Sequence, residues 1–417
     1  MGAVRELAVR TNRAYRQFLK TGTTRLKNAV LLDLAVLLES NRTALQKENA
    51  RDLEQGRGSG LSKAVLDRLA LSDRVLEGMA QSCREVAALP DPVGRIADAV
   101  VRPQGFRVGR MRVPIGVIGI VYEARPNVTV EAAALCLKSG NGVILRGGSD
   151  AFHSNTALVG VVRRALKAQG VDDNLVSCIE TTDRAAVDEL VSLDEWVHLI
   201  IPRGGEGLIR SVVGKSKIPV LKHYKGVCHV YVDAGADLAM AEKLAVNAKV
   251  QRPAVCNAME TLLVDEAVAS EFIPRAVKTL RGLGVEIRGC GRTRALCPEG
   301  VQAAAEDDWF AEYLDLILAV KVVRGVGEAI DHINTYGSAH TDAIVTRDLP
   351  TAERFVREVD SASVMVNAST RLADGGIYGL GAEIGISTDR LHARGPMGLE
   401  ELTCAKWVVF GDGHVRE

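Results

Sequence analysis

Apolar residues recur at helical spacing over 26–38 and again over 65–88, which predicts a helical block through the first 90 residues. Gly56-Arg-Gly-Ser-Gly60 predicts a flexible break inside that block, and Pro90-Asp-Pro92 its end. Over 99–113 apolar and polar residues alternate loosely about Gln104-Gly105, the pattern of a β-hairpin. From Pro114 the texture changes to short apolar runs alternating with helical patterns. Strands are predicted at 115–121, 143–145, 175–179, 197–201 and 220–221, with helices at 129–138, 155–169, 184–191 and 206–213. A helix over 237–250 precedes a second series. Its strands fall at 261–264, 285–287, 317–323, 343–346 and 363–366, and its helices at 267–280, 327–334 and 351–359. The chain turns glycine-rich over 374–385 and ends in a strand at 404–410. Strand–helix alternation implies parallel sheets covered on both faces, so the fold class is α/β.

The chain has 417 residues, 47% of them apolar, enough for two or three domains with separate cores. The 52 basic and 52 acidic residues cancel, which argues against nucleic acid or an anionic membrane as partner. No apolar run is long enough to span a bilayer, and the first 20 residues lack a signal-peptide core. Eight scattered cysteines without a Cys-x-x-Cys pair are expected to be reduced thiols in a soluble cytoplasmic protein. Histidines and cysteines show no ligand spacing along the chain, so no metal is expected.

The candidate chemistry centres on Cys256. Pro253 cannot continue the helix that precedes it, so Cys256 falls in a polar loop beside Arg252 and Asn257. A cysteine packed as a small hydrophobe is the ordinary case, but a thiol beside a cation in a polar loop suits a nucleophile. Nothing matches Gly-x-Gly-x-x-Gly or the P-loop pattern. Glycines do fall at strand ends, in Arg146-Gly147-Gly148 and Arg203-Gly204-Gly205, where a phosphate or ribose could approach the backbone; plain tight turns would look the same. Arg146 suits a cofactor phosphate, or else a weak surface ion pair. Arg125 and Asn127 end another strand and suit an anion or oxyanion, unless Asn127 simply caps the next helix. His340 sits in the polar run Ile333–Asp342, as a base or as a loop brace. Asn367-Ala-Ser369-Thr370-Arg371 offers what a substrate carboxylate needs, or is a solvated loop.

Several runs resemble those of the gamma-glutamyl phosphate reductase family, a branch of the aldehyde dehydrogenase superfamily. They are Tyr122-Glu-Ala-Arg-Pro-Asn-Val-Thr129, Leu137-Lys-Ser-Gly-Asn141, Leu145-Arg-Gly-Gly-Ser149, Gln251-Arg-Pro-Ala-Val-Cys-Asn257, Ile333–Ile344, Asn367–Arg371, Gly379–Thr388 and Leu391-His-Ala-Arg-Gly-Pro396. They span nearly the whole chain, in order. The resemblance implies an aldehyde dehydrogenase-like fold with two Rossmann-like α/β domains and a small β oligomerisation arm. Residues 1–96 and 113–225 would bind NADPH, 226–395 would form the catalytic domain, and 97–112 with 396–417 the arm. It implies NADPH-dependent reduction of L-glutamate 5-phosphate to L-glutamate 5-semialdehyde and phosphate, in the cleft between the larger domains. Cys256 would carry the acyl group as a thioester, with Asn127 and the Cys256 N–H facing the oxyanion. Arg146, Gly147, Gly148, Arg203, Gly204, Gly205 and Glu312 would serve the cofactor; Arg125, His340, Asn367, Ser369, Thr370 and Arg371 the substrate.

Two departures stand out. Lys222-His-Tyr-Lys-Gly226 lacks the glutamate with which oxidising aldehyde dehydrogenases activate water, and Ala254 stands where the reductases usually have glycine. The first favours a reductase over an acid-forming enzyme. A homo-oligomer is expected, and a transient contact with glutamate 5-kinase would shield a labile acyl phosphate. The alternatives are a relative acting on an acyl-CoA or free aldehyde, and a catalytically silent binding protein.

Overall fold

Five helices open the chain: α1 (Ala3–Thr21), α2 (Thr24–Ser40), α3 (Arg42–Gly58), α4 (Lys63–Leu69) and α5 (Asp73–Ala88). The computed structural model describes residues 2–416. Thr23, Ser62 and Ser72 fix three of the starts, each side-chain oxygen accepting the N–H three residues on. Ser72 also splits the predicted 65–88 pattern into α4 and α5. The break predicted at Gly56 lies inside α3, which turns off only at Gly60, where φ is +77°. A Cβ on Gly56 would stand 3.0 Å from the Leu61 and Leu66 side chains, so this glycine makes room for the following turn and α4 to pack on α3.

Next come β1 (Ile96–Val101), β2 (Arg107–Pro114), β3 (Val117–Tyr122), α6 (Asn127–Lys138), β4 (Gly142–Gly147), α7 (Phe152–Ala168), β5 (Val176–Cys178), α8 (Ala185–Leu190), β6 (Leu199–Arg203) and α9 (Glu206–Lys215). Strands β3–β6 form a parallel sheet in the order β5-β4-β3-β6. The predicted strand at 220–221 is reduced to a single bridge between Ile200 and Val220; the preceding Pro219 has no N–H for a ladder. Asp52 of α3 caps the start of α7, accepting from the N–H groups of His153 and Ser154 and from the Ser154 hydroxyl.

The second series holds β7 (Cys228–Val232), α10 (Leu238–Val250), β8 (Met259–Asp265), α11 (Glu266–Gly282), β9 (Glu286–Gly289), α12 (Gly291–Leu296), β10 (Val301–Ala303), β11 (Ile317–Val323), α13 (Val326–Tyr336), β12 (Thr341–Val345), α14 (Leu349–Glu358) and β13 (Ser363–Val366), then the short pair β14 (Ile386–Ser387) and β15 (Gly395–Pro396). Seven strands form one parallel sheet, β10-β9-β11-β8-β7-β12-β13. Its first strand, β7, is buried on both faces like its neighbours, but its short apolar run is broken by His229 and so escapes prediction. Its one strongly polar residue, His229, is held by Asp342, which accepts from both its N–H and Nδ1 at 2.8 Å, while its buried Nε2 has no hydrogen-bond partner. Strand β16 (Thr403–Phe410) ends the chain and pairs antiparallel with β2 along its whole length, giving the three-stranded sheet β1-β2-β16.

The chain divides into two compact units. One runs to Lys222 and includes Gly379–Gly385 and the segment from Met397 onward; the other holds His223–Tyr378 and Ile386–Pro396. The core of the second unit packs Val230, Leu262, Phe272, Leu280, Val320 and Val345 between sheet and helices. Among the described residues no helix is long and apolar enough to cross a membrane.

One buried ion pair bears on the loop that holds Cys256. Lys249 in the last turn of α10 and Glu260 in β8 are both fully buried, with Nζ and Oε2 2.5 Å apart, and so tie the two ends of the 250–259 segment together. Glu260 also accepts the Leu314 N–H at 3.3 Å. Burial pushes its carboxyl up to about 7, and Lys249 pulls the other way. Removing one partner strands the other charge. Lys249→Met is therefore expected to lower the unfolding free energy by about 3–5 kcal/mol in urea denaturation; a change under about 1 kcal/mol would show that the pair does not hold this segment.

Candidate active site

In open parallel sheets ligands usually gather at the carboxyl ends of the strands. In the second unit Cys256 and the residues beside it lie at the amino ends instead. Gly226 precedes β7, Cys256 precedes β8 and His340 precedes β12, and these three strands are neighbours. Cys256 is half-buried and unbridged. A Cβ on Gly226 would stand 1.9 Å from the Cys256 carbonyl oxygen, so the two backbones touch only because residue 226 is glycine. The Gly226 side is pinned. Its N–H donates to Glu312 Oε1 at 2.8 Å, and the Val227 N–H to Ser338 Oγ at 2.9 Å. The thiol loop is pinned as well, by the Cys228 thiol on the Cys256 carbonyl at 3.2 Å and by Asn257 Nδ2 on the Ala373 carbonyl at 2.9 Å. Burial holds the Cys228 thiol well above its usual range, so it remains a donor. Ala254 does not adopt a positive φ, and alanine there carries no backbone strain.

Two histidines stand beside the thiol. His340 is fully buried; its Nδ1 lies 2.8 Å from the Thr341 hydroxyl, and its Nε2 has no hydrogen-bond partner. Burial, then the neighbouring His223, lowers its pKa to about 3, so it is neutral at physiological pH. His223 packs edge-on against it at 5.5 Å and donates from Nδ1 to the Ile386 carbonyl at 2.9 Å. The Cys256 sulfur and one ring nitrogen from each histidine lie within 4.8 Å of one another. The sequence showed no spacing that foretells this group, because the three residues come from three different loops. Two arginines complete the surroundings. Burial, then Arg252, lowers the pKa of the Arg371 guanidinium, while Cys256 and Cys228 oppose that shift. Arg371 thus lies within electrostatic reach of both Arg252 and the thiol. Its Nε donates to Gln251 Oε1 at 2.9 Å.

The remaining substrate candidates of this unit are less open. Asn367 holds φ +54° and spends its amide on Thr346, accepting the N–H at 3.0 Å and donating to the carbonyl at 2.9 Å, which extends the β12–β13 pairing. Ser369 Oγ accepts the Arg371 N–H at 3.3 Å. The Thr370 hydroxyl is buried and has no partner. Lys222–Gly226 itself lacks a carboxylate, yet the fold brings the Glu312 carboxylate to its last residue.

In the first unit, Arg146 ends β4 and is 8% exposed. Its Nη2 donates to the Thr182 carbonyl at 3.0 Å, and its buried Nε is unpartnered. Burial, then Arg184, lowers its pKa. An unpaired buried donor with a second guanidinium in reach fits a ribose phosphate better than it fits a structural brace. Gly147 and Gly148 follow it; a Cβ on Gly147 would collide with Asn155 Nδ2 at 2.0 Å. Gly204 and Gly205 lead into α9, whose N-terminus already receives a carboxylate: Glu123 Oε2 accepts the Gly205 N–H at 2.9 Å. A phosphate on that N-terminus would have to displace Glu123, whereas ribose hydroxyls could donate to it. Arg203 packs against Gly385. Arg125 is exposed, and its carbonyl accepts the Val128 N–H at 3.1 Å. Asn127 is the first residue of α6 rather than its cap, and its Nδ2 donates to Glu131 Oε1 at 2.9 Å. Sequence reasoning singled out neither Glu123, Arg184, Gly226, Cys228 nor His223 as a site residue; each acts through a neighbour distant in sequence.

A pair of parallel α/β sheets with a cysteine on the loop entering β8 defines a class: the chain belongs to the aldehyde dehydrogenase family, whose sequence pattern matches residues 4–288. Within it, the chain is 56% identical over 401 residues to the gamma-glutamyl phosphate reductase of Thermodesulfovibrio yellowstonii, covering 96% of each chain. It is 56% identical over 414 residues to that of Geobacter metallireducens, covering 99% of each. The crystal structure of a gamma-glutamyl phosphate reductase from Thermotoga maritima superposes with a TM-score of 0.98 at 50% identity, over 100% of both chains.

Proposed function

We propose that the chain reduces L-glutamate 5-phosphate to L-glutamate 5-semialdehyde and phosphate with NADPH, the second step from glutamate to proline, through a thioester on Cys256. The observation that carries this reading is the Cys256 loop, held against Gly226 with Arg371 in electrostatic reach, in a chain 56% identical to gamma-glutamyl phosphate reductases. The Cys256 thiolate attacks the acyl carbon. The C–S bond forms, the bond to the phosphate oxygen breaks, and phosphate leaves with that electron pair. An acyl phosphate is an activated acyl donor, so the cysteine divides a hard reduction into two easier steps. NADPH, when bound, supplies the hydride that reduces the thioester carbon. The thiohemiacetal oxyanion on Cys256, faced by the Cys256 N–H, then collapses, releasing aldehyde and regenerating thiolate. Arg371, Arg252 and Arg125 answer the substrate's anionic groups, with His340, Asn367, Ser369 and Thr370 shaping the pocket.

Arg146 holds the cofactor phosphate, with Gly147 and Gly148 admitting it; Arg203, Gly204, Gly205 and Glu312 complete its surroundings. The reading places the enzyme in the cytoplasm as a homo-oligomer. The β1-β2-β16 sheet supports the latter, since it exposes Trp407, Val409, Phe410 and Val101 on short strands suited to pairing with a second copy. A transient contact with glutamate 5-kinase would limit hydrolysis of the acyl phosphate.

The test is an assay of purified protein in both directions. Glutamyl phosphate, generated in place by a kinase and ATP, is expected to drive NADPH oxidation, and NADH far less. In reverse, glutamate semialdehyde and NADP+ are expected to yield NADPH only when phosphate is present. NADPH formation without phosphate would mean that water reaches the thioester. Turnover with an acyl-CoA alone would overturn the substrate.

A further inference from the structure

We propose that Cys256, His223 and His340 form a binding site for a borderline-soft divalent cation, Zn2+ above all, whose binding reversibly masks the thiol. One sulfur and two imidazole nitrogens lie within 4.8 Å of one another. A tetrahedral zinc, with Zn–S of about 2.3 Å and Zn–N of about 2.0 Å, wants its ligand atoms roughly 3.3–3.7 Å apart. Contraction by about 1 Å is needed, within reach of side-chain rotation by Cys256 and His223, which are half-buried.

Both imidazole rings are already oriented by partners at Nδ1. His223 donates its Nδ1 proton to the Ile386 carbonyl, so Nε2 is the ring nitrogen that a cation would take. His340 Nδ1 is engaged with the Thr341 hydroxyl at 2.8 Å, and Nε2 is a fully buried nitrogen without a hydrogen-bond partner. Carbonyl and hydroxyl groups behind imidazoles are the usual outer partners of metal-binding histidines. An orphaned buried nitrogen costs stability unless something fills its coordination in one state of the protein. The donor set of one thiolate and two imidazoles selects zinc over magnesium or calcium. Arg371, close enough to couple to Cys256, adds to that selection: it repels every dication, and only one that gains strong bonding to sulfur offsets the repulsion. Three protein ligands leave a fourth position open.

Binding does not depend on the reductase reading; its consequence for turnover rests on it. The full-length protein titrated with Co2+ is expected to develop thiolate-to-cobalt charge-transfer absorption, which Zn2+ abolishes by displacement. Cys256→Ser should remove the band. His223→Gln and His340→Gln should each weaken the affinity for either ion by at least about tenfold. Should the buried His340 variant fail to fold, the half-buried His223 variant decides. Zn2+ should also protect Cys256 from iodoacetamide, read by peptide mass spectrometry, while exposed Cys404 still reacts. A band that persists in Cys256→Ser, or an affinity unchanged in His223→Gln, overturns the site. A protein that binds Zn2+ as described but does not reduce glutamyl phosphate leaves the site standing and refutes the proposed function alone. EDTA-reversible inhibition of an active enzyme, lost in step with Co2+ affinity in His223→Gln, supports the masking role.

Discussion

Cys256→Ser is expected to lower reductase turnover by roughly 10^4-fold or more while leaving the NADPH dissociation constant within about threefold of its original value. The chemistry sets the direction. A serine hydroxyl ionises far less readily than a thiol and is the poorer nucleophile at neutral pH. His340 is the nearest fully buried base candidate, and burial holds its pKa at about 3, so it is a poor proton acceptor. An ester is also a weaker hydride acceptor than a thioester. Arg146, Gly147 and Gly148, assigned to the cofactor phosphate, lie at the end of β4 in the other unit, so the substitution removes none of their contacts. Turnover is read from NADPH oxidation and binding from cofactor fluorescence. Turnover within tenfold of the unsubstituted enzyme would sink the thioester.

Most strands and helices of both sheets were legible because short apolar runs mark the buried strands and a helical period marks the helices. Ile317–Val323 and Ser363–Val366 were placed at the boundaries the structure shows. What escaped did so for physical reasons. β7 is a run of five residues interrupted by the buried His229, so it lacks the continuous apolar stretch that marks its neighbours, while β10 and α12 are too short for a pattern. Gly56 looked like a breaker because glycine's packing role inside α3 is written in Leu61 and Leu66, not in its own neighbours. The site divides the same way. The Cys256 loop could be read from Pro253 and the flanking patterns. The grouping of Cys256 with His223 and His340 is set by the adjacency of β7, β8 and β12, which a linear sequence does not display. Asn367 shows the converse: its side chain suggested a ligand, and the fold spends that amide on Thr346.

Position at the amino ends of the strands also explains why a glycine, and not another acid or base, controls the thiol's placement. Loops entering the neighbouring strands β7 and β8 lie side by side, and their backbones meet at Gly226 and Cys256. Gly226→Ala is therefore expected to cut kcat by about 100-fold, the cost of shifting a reacting group by about 1 Å. The new Cβ would fall 1.9 Å from the Cys256 carbonyl oxygen and 2.5 Å from its Cα, distances real Cβ atoms do not show, and both neighbours are backbone. The Gly226 side resists movement, since its N–H and that of Val227 are held by Glu312 and Ser338. Cys256 must then give, losing the Cys228 bond to its carbonyl and its setting near Arg371. Overpacking of this kind also costs about 1–3 kcal/mol of stability. Gly282→Ala is the matched control: it ends α11, has nothing within 4 Å of a new Cβ, and is expected to leave kcat unchanged. Single-turnover acylation separates the causes. In Gly226→Ala, phosphate release from glutamyl phosphate should slow as much as kcat does, with NADPH affinity retained. Unchanged acylation would mean that the Gly226 contact does not set the position of the nucleophile.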